Sequence, residues 1–509
     1  MNLIRWMRNR LNQQTRTPFD DKQPSQVMSD WNEEMLRSFF DKSGDVQIVE
    51  HRYANESCPK LVLIYCTGMI DSRQFMEWAL PILDHHMNRS DDWQENIAEL
   101  TATLQMQSVR TDTCLYSCLF SGQLIVFFES LSLMYSVNIP QIPQRTPEES
   151  TTEISVKGPR DAFTEELSTN IALIRKRLRT PSLCNEMFEI GKRSRTRVSL
   201  LYINDIANPD TIQEARKRLN GIHIDALLSS AELEEGISDS SFSMFPLIDY
   251  IGRPDFVAES LIRGRFAILV DGSPMALIAP SNLTEQIKSP EDLHFTFYFV
   301  GFERMIRLVG LFVAIFTPGF WVALSTYNME QLPFPLLATV ATSRIGLPTS
   351  APLEAVLMLF LFEIFREAGV RLPKAVGQTI AVVGGLIIGD AAIRAGLASP
   401  TMLIMSSVTA VATFTLVNQS LSGTVSILRL IILLCSSVLG LYGYFLSMFF
   451  TVVYLSGLRS FGVPYLAPLS PPGSLKEIVA AVASRPRSED TRRPSILDTT
   501  DTTREGKDS

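Results

Sequence analysis

Apolar residues are spread unevenly along this chain. Before about residue 300 they come in short runs of strand length, such as Leu61–Cys66 and Val198–Ile203, separated by polar helix-like stretches. From residue 306 onward the runs are long. Val376–Ile393, VGQTIAVVGGLIIGDAAI, carries one charge, Asp390, and four glycines among Val, Ile and Leu. Such a run makes a poor helix in water, but in lipid small residues let helices approach closely, and its length suits a hydrocarbon core of about 30 Å. The pattern predicts spans near 306–327, 376–393, 401–417 and 427–458. The last, as one helix, would be about 48 Å long and must tilt or project. Between the first two spans, residues 331–374 hold Pro333, Pro335, Pro348 and Pro352. Only Ala355–Phe362 separates Glu354 from Glu363, a rise of about 12 Å. That pattern reads as a re-entrant or interfacial element, tolerated at membrane depth where protein or a water-filled cavity covers it.

The fold class expected is therefore an α/β soluble N-terminal half in two subdomains, followed by an α-helical polytopic membrane domain. In the first subdomain, 31–156, Leu61–Cys66 is a buried strand, Arg73–His86 a helix, and Cys114–Phe120 and Gln123–Phe128 a hairpin about Ser121-Gly122. The second, 183–300, repeats that order with Val198–Ile203, Ile212–Leu219 and a hairpin about Asp271-Gly272. The repetition fits an old duplication or two ordinary α/β pieces. Residues 157–182 read as a connecting helix, capped by Asp161 or Thr164, with Arg175, Lys176, Arg177 and Arg179 at its C-terminal end as a solvated face or a contact for lipid headgroups or a partner. Residues 1–30 form a loose arm, 301–460 the membrane domain, and 461–509 a mostly disordered tail rich in Pro, Ser and Thr.

Composition excludes more than it assigns. A net charge of −8, with no basic face interleaved with aromatics, gives no sign of nucleic-acid binding. The six cysteines lack metal-site spacing, and Cys114 and Cys118 read as reduced core thiols. Gly191–Ser194 fails as a phosphate loop, because Glu186 stands where the first glycine belongs. Without a nucleophile elbow or a histidine-based triad, no catalytic constellation, cofactor or metal is expected. No apolar h-region follows the basic Met1–Arg10, so the soluble half is expected on the cytosolic side. Arg485, Arg487, Arg492 and Arg493 argue that the tail lies there too, although Arg366, Arg371 and Lys374 argue for a different parity.

Charges in or beside apolar runs are functional candidates by default, and here they are Arg344, Glu354, Glu363 and Asp390. Nine residues apart, Glu354 and Glu363 point to opposite helix faces, and Glu363 with Arg366 and Glu367 reads as a helix end. On 376–393, Gln378, Val382, Gly385 and Gly389 share one face. That face suits either a narrow pore with Val382 as its constriction or close packing on a neighbouring helix.

Longer stretches carry a resemblance. PFPLLATVATSRIGLP, FEIFREAGVRLPKAVGQTIAVVGGLIIGDAAIRAGLASP and LRSFGVPYLAPLSP in the membrane half, with GPRDAFTEELSTNIALIRKRLR, RVSLLYINDIANP and GRFAILVDGSPMALIAP before it, resemble the A subunit of bacterial spore germinant receptors, the GerA family. The likeness runs from about residue 30 to 470. It implies a spore inner-membrane protein that works with a polytopic B subunit and a lipoprotein C subunit, with B the better candidate for nutrient binding. The A subunit would be the oligomeric ion-conducting part, in contact with membrane lipids. Met358-Leu359 stands where relatives often have Met-Glu, which leaves the segment one carboxylate short. A downstream amplifier of germination without nutrient input, and a secondary transporter with a broken-helix site, are the alternatives.

Overall fold

The computed structural model describes residues 31–51, 60–87, 93–141, 157–371 and 389–470, with 478 and 481. The chain divides into two compact units, Met1–Gln144 with Leu178–Pro181, and Arg145–Arg177 with Ser182–Ser509.

The first unit is built on an antiparallel sheet. Its strands β1 (Val46–His51), β2 (Leu61–Cys66), β3 (Gln107–Ser108), β4 (Leu124–Phe128) and β5 (Leu133–Val137) lie in the order β1-β2-β4-β5-β3. β2 and β4 are central and covered on both faces, which is why LVLIYC and LIVFF are unbroken apolar runs. Helix α1 (Glu33–Phe39) precedes the sheet. After β2, the helical turn Ser72–Gln74 and the π-turn Phe75–Ala79 lead into α2 (Leu80–Met87), followed by α3 (Trp93–Thr103). Leu83, Met87, Leu100 and Leu104 bury against Leu63 and Val126.

One expectation fails here. Cys114–Phe120 is not a strand: α4 (Asp112–Leu119) occupies it, capped by Thr111 Oγ1 accepting from Cys114 N at 3.3 Å. Leu115 and Leu119, one turn apart, are its buried positions. Periodicity alone does not separate a short buried strand from a short buried helix. The hairpin is β4–β5, turning through Glu129–Leu131.

The second unit repeats the topology. β6 (Leu183–Ile190), β7 (Thr196–Ile203), β8 (Asp249–Ile251), β9 (Phe266–Val270) and β10 (Ala276–Ala279) lie in the order β6-β7-β9-β10-β8, again antiparallel throughout. Counted within each sheet, both orders read 1-2-4-5-3. The β9–β10 hairpin turns at Asp271-Gly272, with Gly272 at φ +83°.

The expected connecting helix over 157–182 is shorter and differently held. Only α5 (Leu167–Arg177) is helical. Neither Asp161 nor Thr164 caps it; Leu167 N donates to Asp271 Oδ1 of the β9–β10 turn at 3.2 Å. Asp161 accepts from Arg177 Nη2 at 2.6 and 2.5 Å, and buried Arg175 donates to the Leu183 carbonyl at 2.9 Å. Lys176 and Arg179 alone of the four basic residues stay exposed. Helices α6 (Pro209–Asn220), α7 (Ser230–Ile237), α8 (Pro254–Ile262) and the short α9 (Leu283–Gln286) complete this subdomain.

A helical bundle continues from it. α10 (Phe297–Thr326) is tied to the subdomain by Arg304 and Arg307, which reach the two oxygens of Asp292 at 2.8 and 2.9 Å. The region 331–374, expected as a re-entrant element, holds α11 (Phe334–Ser343) and a 21-residue helix, α12 (Ala351–Arg371). Short α13 (Gly389–Arg394) and α14 (Pro400–Phe414) follow, then α15 (Gln419–Gly457).

The single long span expected at 427–458 is corrected. α15 breaks at Gly440 (φ 59°, ψ −143°) and folds back on itself. Thr424 Oγ1 donates to the Met244 carbonyl, while Met244 N donates to Tyr454 Oη at 3.0 Å. On one straight helix those thirty residues would span about 45 Å, so the two legs must lie side by side. The first leg runs along α10: an added Cβ on Gly319 would come within 2.9 Å of Ile432 Cγ2 and Ser436 Oγ. Tyr444 of the second leg returns to Phe316 and Phe320. After it, β11 (Arg459–Ser460) and β12 (Val463–Pro464) settle on the second subdomain, where Ser460 Oγ donates to the Leu247 carbonyl at 2.6 Å.

Candidate functional site

The bundle has an apolar exterior, and among its buried apolar side chains stand polar and charged ones. α14 shows this most plainly. Ser406, Thr409 and Thr413 are buried, while Ile404, Val408, Val411 and Phe414 face outward, 48–68% exposed. Among the described residues, two helical segments, Phe297–Thr326 and Ser420–Gly457, are long and apolar enough to cross a membrane, the second of them reversing at Gly440.

Charged side chains sit within this interior. Glu354, on the first turn of α12, is fully buried. Its Oε1 accepts from Ser399 N and, at 2.6 Å, from Ser399 Oγ, the N-cap of α14. Its Oε2 has no hydrogen-bond partner among the described residues. Glu363 is not at a helix end; it lies within α12 and binds Arg366 and, at 3.1 Å, Arg429 Nη2 of α15. Arg366 extends the network to Ser422 Oγ and Ser426 Oγ at 3.2 and 2.9 Å, and Arg429 Nη1 donates to Thr413 Oγ1 at 3.2 Å. The two carboxylates serve different neighbours, as a nine-residue separation on a helix requires.

The remaining sequence candidates are scattered. Arg344 caps the end of α11, half-buried, its N–H donating to the Ala341 carbonyl at 3.3 Å. Gly389 opens α13, and an added Cβ there would meet Leu403 Cδ2 of α14 at 3.2 Å, so the glycine permits that packing. Asp390 is the second residue of α13. Gln378, Val382 and Gly385 lie outside the described residues.

At the foot of the bundle, α15 meets the second subdomain through Asn418. Its Oδ1 caps the helix, accepting from Ser420 N at 2.8 Å, while Nδ2 donates to Asp249 Oδ1 at 2.7 Å and to Gln286 Oε1. Burial pushes the Asp249 carboxyl up to about 7 against the attraction of Arg265. Burial likewise brings Lys288 down to about 7, although Glu285 favours its charged form. Burial also opposes ionisation of Glu285, but the Arg265 and Lys288 charges outweigh it and hold that carboxyl below the ordinary range. Sequence reasoning missed Arg429, Asn418 and Asp249. Arg429 had left a signal, a lone charge inside the apolar run 427–458; Asp249 and Asn418 look like ordinary loop-side polar residues.

Among the described residues no group of His, Cys, Asp or Glu could hold a metal ion. Cys114 and Cys118 are free thiols on α4, their Sγ atoms 3.9 Å apart.

These features define a membrane protein with a two-subdomain soluble front, and comparison with known proteins names its class. The profile of the family described as "Bacillus/Clostridium GerA spore germination protein" matches residues 34–496. The chain belongs to this family, as an A subunit of a spore germinant receptor, and the family is one of receptor subunits rather than enzymes. It is 42% identical to spore germination protein XA of Bacillus anthracis, over 93% of this chain and 97% of that one. It is 36% identical to the uncharacterized membrane protein YfkQ of Bacillus subtilis (strain 168), over 86% of each. The crystal structure of the N-terminal domain of the A subunit of the Bacillus megaterium spore germinant receptor GerK3 is 30% identical, covering 50% of this chain and 97% of that one, with a TM-score of 0.39.

Proposed function

We propose that this A subunit is the oligomeric ion-conducting component of a nutrient-responsive germinant receptor in the spore inner membrane, working with a polytopic B subunit and a lipoprotein C subunit. The inverted polarity of α14 carries the reading. A bundle that only anchored a soluble domain would have little use for buried Ser406, Thr409 and Thr413, the last of them bonded to Arg429, or for a buried glutamate such as Glu354. Intramembrane charges of this kind mark ion pathways and proton relays. α10 leaves the second subdomain and β11–β12 return to it, which supports an even number of crossings.

Co-reconstitution with its B and C subunits in planar bilayers tests the proposal. Nutrient-dependent ohmic current supports conduction. Saturable uptake of a solute without current would favour a transporter. Failure to co-purify with B and C subunits would favour a downstream amplifier.

A further inference from the structure

A second polar site lies where the bundle meets the subdomain, apart from the charged interior of the helices. A cavity of about 350 Å³ opens between α7, β8 and the start of α15. It is far larger than the roughly 30 Å³ share of one water. Two carboxylates face it, Glu234 half-buried towards its mouth and Asp249 only 4% exposed. Asp249 Oδ1 accepts from a neutral amide, Asn418 Nδ2, rather than from a cation. Lys288, the cation of the lining, is already engaged by Glu285 Oε1 at 2.5 Å. Tyr250 Oη is buried next to Glu234 without a hydrogen bond of normal geometry. Ile251, Met275 and Val417 supply an apolar wall.

We propose that this cavity binds a small organic ammonium ion, its charge placed between Glu234 and Asp249 and its short apolar body along Ile251, Met275 and Val417. An anion would meet two carboxylates and a lysine already paired. A neutral solute would add no positive charge to the pair, leaving Asp249 to the attraction of Arg265 and Glu234 to a tyrosine, and a buried carboxylate short of counter-charge is costly. Burial raises both Glu234 and Asp249, as expected of a site whose counter-charge comes with the ligand. Occupancy bears directly on the membrane half, because Asn418 holds both Asp249 and the first turn of α15. The site stands independently of conduction.

The test uses the full chain in lipid nanodiscs, followed by thermal unfolding while propylammonium chloride is titrated against propanol, sodium propionate and potassium chloride. Propylammonium alone should raise the midpoint, saturably, as binding to the folded state requires. Glu234→Gln should need about tenfold more amine for half the effect, and Asp249→Asn should abolish the response. Should Asp249→Asn fail to fold, Glu234→Gln at the mouth still decides. No response to the amine, an equal response to propanol or potassium, or an unchanged half-point in Glu234→Gln would overturn the proposal.

Discussion

The Tyr327 hydroxyl donates to the Ser437 carbonyl at 2.6 Å, which pins the end of α10 to the turn where α15 reverses. Three residues later Gly440 has φ 59° and ψ −143°, outside the range of any side-chain-bearing residue. A Cβ there would also come within 3.1 Å of the Tyr327 ring. We therefore predict that Gly440→Ala costs ~1–3 kcal/mol or more and sharply lowers protein level, while Tyr327→Phe costs only ~1 kcal/mol. Heat-challenge solubility of the two variants in detergent checks the order; equal behaviour would contradict it.

Topology follows from the same reversal. In a cysteine-free background, Glu330→Cys, at the Tyr327 end of the bundle, should be labelled by a membrane-impermeant maleimide in intact cells. Ser488→Cys, in the tail beyond the strands that return to the subdomain, should resist it. Labelling of both positions would mean an odd number of crossings.

The Glu363–Arg429 pair joins α12 to the first leg of α15. Glu363→Gln leaves Arg429, whose side chain is 7% exposed, without its carboxylate. The cost should be ~1–3 kcal/mol, less than for a fully buried pair because the Glu363 side chain is 34% exposed. Adding Arg429→Leu should restore part of the receptor level. A double variant whose loss equals the sum of the singles would mean the two residues are not coupled.

The junction predicts a pH dependence of opposite sign on either side of neutrality. Asp249, pushed up to about 7 by burial, keeps a proton in the folded chain that the unfolded chain loses near pH 4, so stability falls as pH rises through that window. Lys288, brought down to about 7 by burial, releases in the folded chain a proton that the unfolded chain holds to about pH 10, so stability then recovers. Thermal midpoints should pass through a minimum near pH 7. Asp249→Asn should flatten the fall between pH 5 and 7, a change on the order of 2 kcal/mol.

Val382 separates pore from packing on the 376–393 run. As a constriction, Val382→Ala should widen the path, so that spores germinate early without nutrient. As a packing residue, the same change should lower receptor level or response instead. Dormant spores with normal receptor abundance and normal nutrient response would remove Val382 from the gate.

The strands and turns of the soluble half were legible where residue type leaves little choice. Asp271-Gly272 demands a turn, and LVLIYC a strand covered on both faces. Asp112–Leu119 was not, because seven apolar and small residues fit either period. In the membrane half, composition marked the apolar runs but not their folding back. Gly440 is one of two glycines in LGLYGYF, and nothing local separates a reversal from a packing contact. The partners of Glu354 and Glu363 were equally hidden, since Ser399 and Arg429 lie 45 and 66 residues away.

The reversal at Gly440 has a mechanical meaning. Both feet of the hairpin, Asn418 on one leg and Ser460 beyond the other, stand on the same subdomain, on Asp249 and Leu247. A tilt or lift of that subdomain is thus delivered to the two legs together. The hairpin would travel as a rigid two-footed lever rather than splay, and its tip, held by Tyr327, would act as the fulcrum against which α12, joined through Glu363, is displaced.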